Sequence, residues 1–362
     1  MYFSRQRCAG DLGDMVKSLK CGWFIFPLSV LIIGSAFAKE VTLQERLDEE
    51  VQLQYGSQSF PQDLKTTLQG KHIIFVDGIL NEIASVVGNY FTDNIEAVNK
   101  LGITYSHKAY PSGNSIPDNA AVLVEDIKAI YSRVQKPIIL IGHSMGGAEA
   151  VYAVLKEPEL LISNKVEKVI SIEGAIGGSI LAEHIIDNVM GRRLKQELGD
   201  GLESLKIEKA RQNFKEVYEH YRNEVSRYVF GNASRTAELE TELSDRVFYI
   251  RGAHRPCEKN LSFGLNIVYL FLEKNVMCDV ENDGLMEVKN QILGIDPFFG
   301  VDLGVVDADH IQLVISGISS NRNAKYRRAF TRTMLKAAYY FPSRWVSYRS
   351  RSSGGLAEVD LW

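Results

Sequence analysis

Ile138-Ile139-Leu140-Ile141-Gly142-His143-Ser144-Met145-Gly146-Gly147-Ala148 joins an apolar, strand-like run to a helix-forming run through a G-x-S-x-G pentapeptide. Four consecutive aliphatic residues suit a strand buried on both faces. Gly142 and Gly146 leave room for a sharp turn that lifts the Ser144 hydroxyl out of the sheet. The flanking strand and helix, rather than the five residues alone, give the pattern its weight.

Working outward, the chain alternates strand and helix on both sides of this turn. Strands are predicted near 72–77, 103–109, 168–172 and 246–251, with a helix near 83–99, another carrying Ala121 to Ile130, and a nucleophile helix ending near 157. Ala121, Val124, Ile127 and Ile130 recur at helical spacing between two of the strands. Such alternation builds a mostly parallel sheet with helices on both faces.

Gly142-His143-Ser144-Met145-Gly146-Gly147 resembles the nucleophile elbow of lipases and esterases of the α/β-hydrolase superfamily. The resemblance spans roughly residues 71–340 and implies that fold, with the chain order serine, acid, histidine. His310 is the only histidine beyond position 254 and lies on a polar turn after an apolar run, where a general base belongs. Glu281-Asn282-Asp283-Gly284-Leu285-Met286 is similar to the turn that carries the acid in many bacterial lipases, so Asp283 is the expected acid. Asp279, Asp296, Asp307, Asp309 and Glu173 are rivals for that role, and Asn-Asp-Gly also serves simply to reverse a chain. The oxyanion donors implied by the resemblance are the backbone amides of Met145 and Ile79, with Leu80 as the near alternative. Asp77 stands where the family commonly carries histidine. The Gly-rich run Gly174-Ala175-Ile176-Gly177-Gly178-Ser179 is either a plain connection or part of an acyl pocket, and it lacks dinucleotide-binding spacing.

The stretch 185–244 interrupts the alternation with long helical patterns rich in Glu, Lys and Arg. Its position between two core strands implies a helical cap or lid, with a peripheral helical hairpin as the alternative. The remaining core is then 71–184 and 245–345, preceded by an N-terminal arm at 39–70 and followed by a tail at 346–362. Residues 322–351 are basic and interleaved with aromatics, which suggests a final helix on the sheet and offers a basis for contact with an anionic membrane surface.

Lys17 and Lys20, a short apolar core from Cys21 and the box Ala36-Phe37-Ala38 form the pattern of a secretory signal peptide over residues 1–38. Met15 would give that leader conventional proportions; an uncleaved anchor is the alternative. Export predicts a periplasmic or secreted protein. The mature chain keeps Cys257 and Cys278, which an oxidising compartment would join in a disulfide, the alternative being two free thiols. Neither a zinc-like Cys/His spacing nor a calcium ligand after the histidine, where Gln312 stands, is present, so no metal and no cofactor is expected. A net charge of −4 gives no pull towards nucleic acid. The expected partner is a lipid or small ester substrate. The expected activity is serine carboxylic-ester hydrolysis. Acyl transfer, thioester hydrolysis or amide hydrolysis at the same site is the first alternative, and a non-catalytic lipid-binding protein the second.

Overall fold

The computed structural model describes residues 41–53, 60–79, 89–185, 189–254, 262, 266, 278, 280–295, 298–317 and 322–340. Six strands form one parallel sheet. In chain order they are β1 (His72–Val76), β3 (Thr104–Lys108), β4 (Ile138–His143), β5 (Val166–Ile172), β6 (Val247–Ala253) and β7 (Val301–Asp307). Their spatial order is β3-β1-β4-β5-β6-β7, so the serine-bearing strand β4 lies centrally, between β1 and β5. Every residue of β1 and β4 is buried, as aliphatic runs covered on both faces require. A separate two-stranded ladder pairs β2 (Asn89–Tyr90) with β8 (Ile315–Ser316). It ties the chain after the first strand to the chain after His310.

Helices cover both faces. On one face, α1 (Leu43–Leu53), α3 (Thr92–Lys100) and α9 (Ala324–Tyr340) pack together. The arm expected at 39–70 is therefore part of the body: α1 and α2 (Gln62–Gln69) bury Leu43, Leu47, Leu64 and Leu68. On the other face, α4 (Ile116–Val134) packs on α5 (Met145–Lys156). Ser115 caps α4 by accepting from the Asp118 N–H at 3.3 Å. Between these helices, Glu149 is buried and accepts a hydrogen bond from Asn119 Nδ2 at 2.7 Å; burial pushes its carboxyl up to about 8.

The helical stretch between β5 and β6 contains α6 (Val189–Ser204), α7 (Ile207–Tyr228) and α8 (Ala233–Ser244). The structure puts α7 beside α5, in the helical layer of the body. Its apolar stripe of Phe214, Val217, Tyr221 and Val225 is buried, with Phe214 edge-on to Tyr152 at 5.6 Å and Tyr221 against Phe299 at 5.2 Å. Burying side chains of this size contributes about 2–3 kcal/mol each, which favours a packed layer over a mobile cover. α6 runs near a loop at the carboxyl edge of the sheet: it bends at Gly199, and the Gly201 N–H donates to Gly113 O at 3.0 Å in the loop after β3.

The basic face of α9 is turned inwards on acids. Arg327 pairs with Asp93 and Arg328 with Glu96, both on α3, while Arg332 and Lys336 meet Glu50 of α1. These cations neutralise buried or half-buried carboxylates of the fold, so they are not the free basic surface that the sequence suggests for lipid contact. Among the described residues no helix is long and apolar enough to cross a membrane. Residues 1–38, Cys257, Asp279, Asp296, Leu80 and the tail lie outside the described residues. Cys278 is disulfide-bonded.

Candidate active site

β4 delivers the serine. Ser144 follows it with φ 55° and ψ −125°, a backbone conformation unusual for a residue with a side chain, and α5 begins at the next residue. The two flanking glycines are there for closeness. A Cβ on Gly142 would overlap the Gly146 carbonyl, and one on Gly146 would overlap the carbonyls of Val76 and Asp77 at the end of β1. The first turn of the helix thus sits directly on the neighbouring strand, which fixes where the hydroxyl emerges.

His310 and Asp283 come to that hydroxyl from two later segments. The loop after β7 brings His310, whose Nε2 lies 2.9 Å from Ser144 Oγ. Its Nδ1 lies 2.8 Å from Asp283 Oδ2. With the Nδ1–H donating to that carboxylate, Nε2 presents its lone pair to the Ser144 hydroxyl. All three residues are buried. Asp283 is itself heavily held: Oδ1 accepts the N–H groups of Leu285 at 2.9 Å and Met286 at 2.8 Å, and Oδ2 accepts Gln291 Nε2 at 3.1 Å. Gly284, at φ 103°, closes the turn. The His310 N–H also donates to Asp283 O at 2.8 Å, so the two residues are bound through backbone as well as side chain.

Three further residues, not assigned by sequence, support this line. Gln291 bridges Asp283 to β6, accepting from the Gly252 N–H at 2.7 Å and donating to Gly252 O at 3.0 Å. His143 Nε2 donates to the His310 carbonyl at 2.8 Å and approaches Glu173 Oε2 at 3.1 Å. His143 and Glu173 are fully buried. Burial, with the charges of Asp283 and Asp309 adding to it, holds the Glu173 carboxyl well above the ordinary carboxylate range. Burial and the neighbouring His310 hold His143 well below the ordinary histidine value. The two therefore make a neutral buried pair behind the base. The histidine of G-H-S was in view in the sequence; what it touches, 167 residues away, was not.

The rival acids among the described residues meet partners other than the His310 ring. Asp309 accepts the N–H of Ser262 at 2.7 Å and of Ile311 at 3.2 Å, and Glu173 reaches His143. Asp307 faces His254 at 3.4 Å. The Gly-rich run after β5 acts as a clamp on the acid's turn: Ser179 Oγ donates to Leu285 O at 2.8 Å and the Gly177 N–H to Asn290 O at 2.7 Å.

The loop after β1 lies on the other side of Ser144. A Cβ on Gly78 would come within 2.7 Å of Ser144 Cβ, so Ile79 is close beside the nucleophilic turn. Ile79 is buried, and its carbonyl accepts from Tyr90 Oη at 3.1 Å. The amides of Ile79 and Met145 donate to no protein acceptor among the described residues. Met145 opens α5, so its N–H points outward with the positive end of the helix dipole. Asp77 Oδ1 lies 2.5 Å from His107 Nε2 on β3.

Donor atoms of His143, Glu173 and His310 gather within 4.8 Å of one another, which could suggest a metal site. His143 Nε2 serves the His310 carbonyl, and both His310 nitrogens serve Ser144 and Asp283. A metal would have to take a nitrogen from that line, so the arrangement fits proton transfer rather than coordination.

Residues 118–190 match the lecithin:cholesterol acyltransferase family. No match is found among curated protein sequences. Among solved structures, the metagenomic carboxyl esterase MGS0156 is similar with a TM-score of 0.52 and 22% identity, over 75% of this chain and 76% of that one. The lipase BlEst2 of Bacillus licheniformis in its mature form gives 0.46 and 20% identity over 76% and 91%. Sheet order, serine turn and the likeness to the metagenomic esterase agree: the chain has the α/β-hydrolase fold.

Proposed function

We propose that the protein is a serine hydrolase that cleaves carboxylic esters, lipid acyl esters in particular, through an acyl-enzyme. The observation that carries this reading is the unbroken line Asp283–His310–Ser144, at 2.8 and 2.9 Å, ending on a serine held at positive φ. In the proposed mechanism Ser144 Oγ attacks the ester carbonyl carbon while its proton passes to His310 Nε2. Asp283 stabilises the imidazolium that results. The carbonyl oxygen becomes an oxyanion and accepts the Met145 and Ile79 amides. Collapse breaks the carbon–oxygen bond to the alcohol, which leaves with the proton from His310. Water, deprotonated by the same histidine, then releases the acid.

The ester substrate is supported by likeness to a carboxyl esterase, and the lipid by the match to a lipid acyltransferase family. That family match also favours one second reading, in which an alcohol rather than water takes the acyl group. We further propose export by the signal peptide and pairing of Cys257 with the disulfide-bonded Cys278. A cover over the site is proposed for α6 alone. The test is labelling by a fluorophosphonate together with hydrolysis of p-nitrophenyl butyrate. Labelling lost in Ser144→Ala and in His310→Ala supports the reading; a folded wild type that neither labels nor hydrolyses, with detergent present, overturns it. Adding a long-chain alcohol and finding alkyl ester instead of free acid would favour transfer.

A further inference from the structure

Asp77 creates an electrostatic problem that the mechanism must solve. Its carboxyl is buried in the same short loop that supplies the Ile79 amide. A lone carboxylate there would oppose the negative charge that builds on the substrate oxygen, and in a buried site that repulsion is only weakly screened. His107 is positioned to remove it. The imidazole on β3 meets Asp77 Oδ1 at 2.5 Å, and Phe91 stands edge-on to its ring at 6.2 Å. The pair is also built into the backbone, since the Asp77 N–H donates to Lys108 O at 2.9 Å, one residue from His107.

We propose that Asp77 and His107 hold one proton between them and so keep the oxyanion loop uncharged while Ser144 attacks, which makes both of them positioning residues for the second oxyanion donor. The inference rests on the serine-hydrolase reading given above. The charged and titratable neighbours leave this proton to the pair. Lys108 on β3 is spent on Asp126 at 2.8 Å, His143 at the end of β4 is bound to His310, and the hydroxyl of Tyr90 donates to Ile79 O. Burial raises the Asp77 carboxyl above its ordinary value, and the contact with His107 offsets part of this.

The test is the pH dependence of kcat and KM on p-nitrophenyl butyrate for wild type, His107→Gln, Asp77→Asn and the double variant. With His107 gone, Asp77 is protonated and harmless at acid pH but ionises alone as pH rises. The expected result is a kcat loss in His107→Gln that grows with pH to about tenfold or more, with KM changed less than about threefold. The double variant should recover most of that loss. A merely structural role gives losses that add and do not depend on pH. If His107→Gln proves unfolded by circular dichroism, wild type against Asp77→Asn decides: the proposal requires an alkaline fall in kcat that Asp77→Asn lacks. Equal activity of His107→Gln and wild type at every pH, or a double variant as impaired as His107→Gln, overturns the proposal. Fluorophosphonate labelling of the wild type separates the two failures, since loss of labelling there would sink the hydrolase reading instead.

Discussion

The two sides of Ser144 are built on different principles. On the base side, Asp283, His310, His143, Glu173 and Gln291 are all buried and linked by side-chain and backbone hydrogen bonds drawn from β4, β6, the loop after β7 and the acid's own turn. On the oxyanion side, the described contacts of Asp77–Ile79 are few: a backbone bond to β3, the Tyr90 hydroxyl and the partly exposed His107. The base side is over-determined, so removing one support leaves others. Among the described residues, the side-chain hydrogen bonds of the oxyanion side are those of Tyr90 and His107, which makes it the place where pH can be expected to tune the rate.

The comparison can be broken by experiment, beginning where the effect is largest. Ser144→Ala should remove ester hydrolysis down to the level supplied by binding and the oxyanion donors, a loss of about five to six orders of magnitude in kcat. Asp283→Asn keeps shape but disturbs the tautomer of His310, and should lower kcat about ten-thousandfold with the fold intact by circular dichroism. Gly78→Ala places a methyl group within 2.7 Å of Ser144 Cβ, so kcat should fall by about a hundredfold while Asp283–His310 geometry, read from the low-field proton resonance of His310, stays put. Gln291→Leu should cost about 1–3 kcal/mol of stability by urea titration, because it unpairs Asp283 and Gly252 together, yet lower kcat only about tenfold if the remaining supports carry the base side.

The smallest effect concerns stability alone. Glu149 has a folded-state value of about 8, above that of the unfolded chain, so its contribution is present at acid pH and is lost as pH rises towards that value. Glu149→Gln should therefore raise Tm relative to wild type near pH 7 and leave it unchanged near pH 4. An equal shift at both pH values would show that the carboxyl is not held neutral by its surroundings.

The residues that meet at Ser144 could be singled out in the sequence because their signals are local. The glycine–serine turn between a strand and a helix, the lone late histidine and the Asn-Asp-Gly turn each declare themselves within a few residues. The supports were hidden because each depends on a partner far away in the chain. Gln291 reads as an ordinary polar residue until β6 passes beside it, and Glu173 as a strand-end acid until His143 turns towards it. The same limit bears on one reading of a helix. Basic residues in α9 suggested an open cationic face because Glu50, Asp93 and Glu96 lie hundreds of residues earlier.

The seat of α1 has a consequence for how the chain is made. Gln44 accepts from the Asp307 N–H at 2.8 Å beside the base loop, and Glu50 receives Arg332 and Lys336. During synthesis α1 leaves the ribosome early, but its partners emerge last, so Leu43 and Leu47 stay uncovered while most of the sheet is being translated. Contacts this far apart in sequence also close slowly. The serine turn can thus form well before the segment that carries His310 is held in place, and the site is assembled only when α9 returns to α1.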